Sequence, residues 1–254
     1  GFVAFEDTME NLENNNISVI GRINPKSKRQ EIIIKNIKGK KLGFLSYSFV
    51  EDRFDKSPFY YANNPSIGAI LDHINESKNE CDFLIIMLHW GDEFIDYPSS
   101  SQVDIAHQLI DAGCDVILGG HSQIFQGVDH YKGKIIAYSL GNFVFSMPWK
   151  PTRATGLLNI QLRENGNHSF YVVPIWIDNN FKPSIPNNTK REYVEFRLNR
   201  ADNLLNNFDP SEKEYNKSLN RALRKYRLST WKNFIQNFPK MPINISLQLL
   251  SEFV

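Results

Sequence analysis

The chain has little cysteine, no long apolar run and almost no net charge. Its two cysteines, Cys81 and Cys114, lack Cys-x-x-Cys spacing, so neither a disulfide framework nor a cysteine zinc site is expected. Both sit beside apolar runs and read as small buried hydrophobes. No stretch stays apolar for the length that a membrane-spanning helix needs. The 29 Lys+Arg against 28 Asp+Glu leave a formal charge of +1, which gives no electrostatic case for nucleic acid or an anionic membrane. The local basic runs Lys38-Gly39-Lys40-Lys41 and Arg224-Lys225-Tyr226-Arg227 read as solvated element ends. No secretory leader is legible, because Gly1-Phe2-Val3 leads at once into acidic residues. A first residue other than Met is what a processed or truncated product would show. There are no internal repeats.

What is present is 254 residues, 41% of them hydrophobic, enough for one sizeable core or a core with an appendage. Periodicity predicts a short helix over Glu6 to Asn14, helices over Asn63 to Lys78 and Ser101 to Ala112, and Gly113 as the stop of the latter. Strands are predicted at Ile17 to Ile20, at Ile32 to Ile34 with Leu42 to Tyr47 as a hairpin, and at Leu157 to Leu162 with Ser169 to Ile177 as another. Leu84 to Leu88, Val116 to Leu118 and Ile135 to Leu140 are continuous apolar runs, as expected of adjacent central strands buried on both faces. The alternation of strands and helices implies parallel crossovers, and the hairpins imply a mixed sheet or two sheets. Lys182 to Asn188 reads as a linker, and the charged remainder from about Arg191 as a helical appendage. The expected division is an α/β domain over 1–181 and the appendage over 191–254.

Three pieces repeat one form: an apolar run ends, and a Gly-containing turn follows with polar side chains. They are Leu88-His89-Trp90-Gly91-Asp92-Glu93, Gly119-Gly120-His121-Ser122-Gln123 and Leu140-Gly141-Asn142-Phe143. Open α/β sheets build sites at such strand ends. A lone strand-end His is more often a hydrogen-bonded structural residue than a ligand. Two of them at neighbouring strand ends can converge on one divalent transition metal, Mn, Zn or Fe. Glu93 reads as a ligand, an acid/base, a substrate contact or a solvated loop carboxylate. Asn142 reads equally as a turn residue.

The run His89-Trp90-Gly91-Asp92-Glu93-Phe94, then Ala112-Gly113-Cys114-Asp115-Val116-Ile117-Leu118-Gly119-Gly120-His121, then Ala137-Tyr138-Ser139-Leu140-Gly141-Asn142-Phe143, resembles the bacterial CapA family of capsule and poly-γ-glutamate synthesis proteins. The resemblance spans roughly Thr8 to Phe145. It implies a metallophosphatase-like α/β fold, with mixed sheets flanked by helices in α/β/β/α layers and incomplete at the amino terminus. It also implies His89 and His121 as metal ligands, Glu93, Gln123 and Asn142 as substrate contacts, a cell-envelope location, and as partners an anionic polymer or its precursor and other capsule-synthesis proteins. Gln123 stands where the family pattern has a second His, and an amide is a poor ligand for such metals. The family's other metal-bridging segments would precede Gly1, so a further chain or fragment is expected to supply them. A binding or assembly component with a degenerate metal site is therefore the main expectation. A metal-dependent hydrolase of the calcineurin-like phosphoesterase type is the alternative.

Overall fold

The computed structural model describes residues 2–24, 29–50, 65–207 and 211–238. Positions 63 and 64, where a helix is predicted to begin, and 239–254 of the predicted appendage lie outside these.

Helix α1 spans Phe2–Asn14. A two-residue ribbon follows, β1 (Ile23–Asn24) against β2 (Arg29–Gln30). The strand predicted at Ile17 to Ile20 does not form. Ile17 is 52% exposed, and among the described residues no neighbouring strand offers that stretch a ladder. Strands β3 (Ile33–Ile37) and β4 (Lys40–Ser48) make the expected hairpin. Helix α2 (Ile67–Ser77) starts at a Ser66 cap, and β5 (Phe83–Trp90) follows. Helix α3 (Ser100–Ala112) opens with a reciprocal cap between Ser99 and Gln102 and ends at Gly113, whose φ of 124° suits a residue without a Cβ.

The remaining strands are β6 (Val116–His121), β7 (Val128–Tyr131), β8 (Lys134–Ala137), β9 (Ala154–Gln161), β10 (Ser169–Ile177) and β11 (Pro183–Ser184). β8 stops three residues short of the predicted end; beyond it, Leu140 makes an isolated bridge to Phe125 and donates its N–H to the Gly119 carbonyl at 3.1 Å. The predicted linker contains β11, which pairs with the end of β10.

The main sheet has six strands in the order β3-β4-β5-β6-β8-β7, and the smaller sheet runs β11-β10-β9. β4, β5, β6 and β8 are parallel to one another, with the antiparallel strands β3 and β7 at the two edges. The three apolar runs thus lie side by side inside the sheet. Helices α2 and α3 cover one face through Ile70, Ile74, Ala106, Leu109 and Ile110, packed on Leu84, Ile86, Leu88 and Ile117. On the other face, Ile160 and Phe170 of the smaller sheet pack on Ile85, Val116 and Ile135. These three lie in the amino-terminal halves of their strands, so the cover is partial. Met87, two residues further along a central strand, is 42% exposed.

Two long helices follow among the described residues, α4 (Asn188–Asn206) and α5 (Glu212–Asn237). Val194, Leu198 and Ala201 of α4 are buried against Phe125, Ala154 and Trp176. This helix is therefore packed on the smaller sheet by apolar contacts.

Candidate functional site

Alternation along β5 sends Leu84, Ile86, Leu88 and Trp90 under the helices and leaves Met87 and His89 exposed on the opposite face. Trp90 is locked: its indole N–H donates to the Tyr138 carbonyl at 2.9 Å. Gly119 makes that approach possible, because a Cβ there would lie 1.9 Å from the Tyr138 oxygen and 2.6 Å from Trp90 Nε1. The strand end that presents His89 is fixed by this contact.

Register pairs His89 with Gly120 and Trp90 with His121. A regular strand would turn His121 to the Trp90 side. Its φ of +96° breaks the alternation, and its ring lies edge-on to His89 with centroids 4.7 Å apart. A non-glycine residue at such a φ is strained, and strain of this kind gathers at functional sites. Partial burial lowers the pKa of both imidazoles. His121 lowers that of His89 further, while Asp92 opposes the shift at His121. Both rings are thereby held neutral at pH 7, the form that offers a lone pair.

The loop after β5 is braced from three sides. The Phe94 N–H donates to the Ser122 carbonyl at 2.8 Å. The buried Gln126 amide donates to the carbonyls of Ile95 and Tyr97, each at 3.2 Å. The Tyr215 hydroxyl, from α5, donates to Asp92 Oδ2 at 2.9 Å. Asp92, Gln126 and Tyr215 were not singled out from the sequence. Asp92 adjoins the residue that was, and the strand-end pattern could equally have named it; nothing in the pattern around Tyr215 signals its reach.

The structure brings His89 and His121 together. Glu93 sits half-buried on the same loop, where burial alone raises its carboxyl pKa, and among the described residues no hydrogen bond or ion pair joins it to either imidazole. Gln123 follows His121 with a φ of +63°, and its Oε1 is buried without a hydrogen-bond partner among the described residues. Asn142 turns its amide towards the Thr152 carbonyl, a long contact of 3.5 Å.

Two imidazoles this close can share one ion with bonds of about 2 Å. A structural or catalytic site of that kind uses three or four protein ligands, and no group of three or more His, Cys, Asp or Glu suited to an ion occurs among the described residues. Two imidazoles alone do not complete such a site.

The sequence profile of the bacterial capsule synthesis protein PGA_cap matches residues 1–147, the part that contains β5, β6 and β8. The PGA biosynthesis protein CapA of Bacillus subtilis is 29% identical over 180 residues, covering 69% of this chain and 47% of that protein. The capsule biosynthesis protein CapA of Bacillus anthracis is 31% identical over 183 residues, covering 69% and 44%. The chain spans about half the length of these curated relatives. Among solved structures, the NAD nucleotidase of Haemophilus influenzae is 15% identical, with a TM-score of 0.41 over 72% of this chain and 41% of that one.

Proposed function

Because the chain belongs to the bacterial capsule synthesis protein family PGA_cap, we propose that it is a component of capsule or poly-γ-glutamate synthesis or export at the cell envelope, acting by binding and assembly. Its partners are an acidic polymer or its precursor and other proteins of the same machinery. One observation carries this reading: on the central strand β5, Met87 (42% exposed) and His89 are both exposed on the same face among the described residues. A central parallel strand is ordinarily covered on both sides, and an open one with functional groups at its end is a surface made to meet something. The imidazole pair supports weak capture of a single divalent ion, Mn, Zn or Fe, by His89 and His121. Gln123 offers a neutral amide beside it, and Glu93 and Asn142 flank the same strand ends. No chemical step is routed through that ion, because the described residues do not close its coordination.

The test is genetic. In the host strain, deletion of the gene should reduce surface polymer, and the gene carrying His89→Ala with His121→Ala should fail to restore it. Full polymer without the gene would sink the reading. The hydrolase alternative is tested separately with purified chain, added Mn or Zn and a generic phosphate ester. Turnover of about 1 s⁻¹ or faster that vanishes in His89→Ala would establish it in place of binding.

A further inference from the structure

A cleft of about 360 Å³ lies between the β5–α3 loop and the two carboxyl-terminal helices. Four cations line it, Arg197 and Arg200 from α4 and Arg221 and Lys225 from α5, against two acids, Asp96 and Glu214. The acids are already engaged. Arg197 and Arg200 both pair with Asp96, the latter at 3.1 Å, and Glu214 pairs with Lys217 at 3.4 Å. Arg221 and Lys225, one helical turn apart, have no acidic partner among the described residues. Arg200 commits its Nε to Asp96 Oδ2, which leaves the terminal nitrogens of its guanidinium available. Phe94 and Trp149 also line the cleft; Phe94 stacks on Tyr226 with centroids 4.0 Å apart, and Trp149 meets Phe94 edge-on at 5.5 Å. The aromatic lining is thus fixed by its own packing.

We propose that this cleft binds an acidic peptide chain, with carboxylates on Arg221, Lys225 and the free edge of Arg200 and the intervening methylene groups on the aromatic lining. Guanidinium forks match carboxylate geometry, and a cleft with apolar walls and a few convergent charges is the usual form of a ligand site. An acidic peptide fits better than a nucleic acid. The cleft sets guanidinium groups beside aromatic side chains, which suits carboxylates spaced by methylene groups, and the chain as a whole carries a net charge of only +1. The proposal rests on the functional reading for the identity of the polymer, poly-γ-glutamate, and not for its charge.

The experiment uses the full chain and a fluorescent γ-linked glutamate oligomer, followed by anisotropy at low and at physiological salt. The double variant Arg221→Gln, Lys225→Gln should bind about tenfold or more weakly, since it loses two charge-assisted contacts. The control Lys213→Gln, Arg227→Gln removes the same charge from the same helix outside the cleft and should bind as the parent does. Equal weakening in both variants, no weakening in the first, no binding by the parent, or preference for a single-stranded oligonucleotide of equal length would each overturn the cleft as the site. Circular dichroism of the variants separates loss of binding from loss of helix. Because polymer production in cells is measured independently, the cleft can fail while the functional reading stands.

Discussion

Tyr215 and Asp92 are 123 positions apart, yet the tyrosine hydroxyl donates a 2.9 Å hydrogen bond to the aspartate. Asp92 is also the carboxylate whose charge acts on His121. Helix α5 therefore bears on the strand-end pair through one intermediary. Tyr215→Phe removes the donor and leaves the ring, so unfolding free energy should fall by about 1 kcal/mol. Urea denaturation measures it. An unchanged midpoint would mean that Asp92 is held by other means.

Gly119→Ala should be far more damaging than its one added methyl group suggests. The new carbon would meet backbone as well as the Trp90 ring, and backbone cannot rotate away. A cost of about 3 kcal/mol or more is expected. Soluble yield and thermal midpoint are the readouts, and a midpoint within a degree or two of the parent would show that β6 and β8 can separate without penalty.

Stability should fall on acidification from near neutrality. Burial lowers the pKa of His73 and His168 below the unfolded value of about 6.5. Between the folded and unfolded values, the unfolded chain binds more protons, so their contribution is complete above about 6.5 and lost as pH falls through the folded values. His168 shows why. Its Nδ1 accepts from the Arg163 N–H at 3.1 Å, and a proton there would break that bond. Urea midpoints at pH 7.5 and pH 5 should differ, and His168→Gln should make the fall shallower. An identical pH profile in that variant would rule out the histidine as its source.

A transition metal added to the full chain should bind at a ratio of one ion and weakly. Loss of outer-sphere groups alone costs about 10–100-fold in affinity, so removing a ligand should cost about 100-fold or more. Cobalt absorption with His89→Ala and His121→Ala, each alone, checks this. Binding that survives either substitution would place the ion elsewhere.

The parts of the fold legible in the sequence were those whose physics is local. Ile85 and Ile86, or Val116 and Ile117, announce buried parallel strands by being apolar in succession. Gly113 announces a helix stop. β7 was missed because Val128-Asp129-His130-Tyr131 is an edge strand with mixed polarity and no clean alternation. Ile17-Ser18-Val19-Ile20 misled for the converse reason: strand-like composition cannot report that no neighbour stands beside it. At the site, the convergence of His89 and His121 followed from their common place after buried strands. The brace formed by Gln126 and Tyr215 was invisible, because side-chain hydrogen bonds across long sequence separations leave no periodic trace. The helical tail reads as packing on the core or on a partner, and the contacts of Val194 and Leu198 with Trp176 could not be named from the sequence for the same reason.

The backbone at His121, held at a φ of +96°, bears on how this sequence can drift. Glycine would occupy that conformation without the roughly 1 kcal/mol or more that another residue gives up there. Random substitution should therefore pull the position towards glycine. An imidazole persists at such a place only under selection for the ring itself. Exchange of His121 for Gly should accordingly yield a chain at least as stable as the Ala exchange, and a lineage that has abandoned the His89 pairing should be recognisable by a third consecutive glycine.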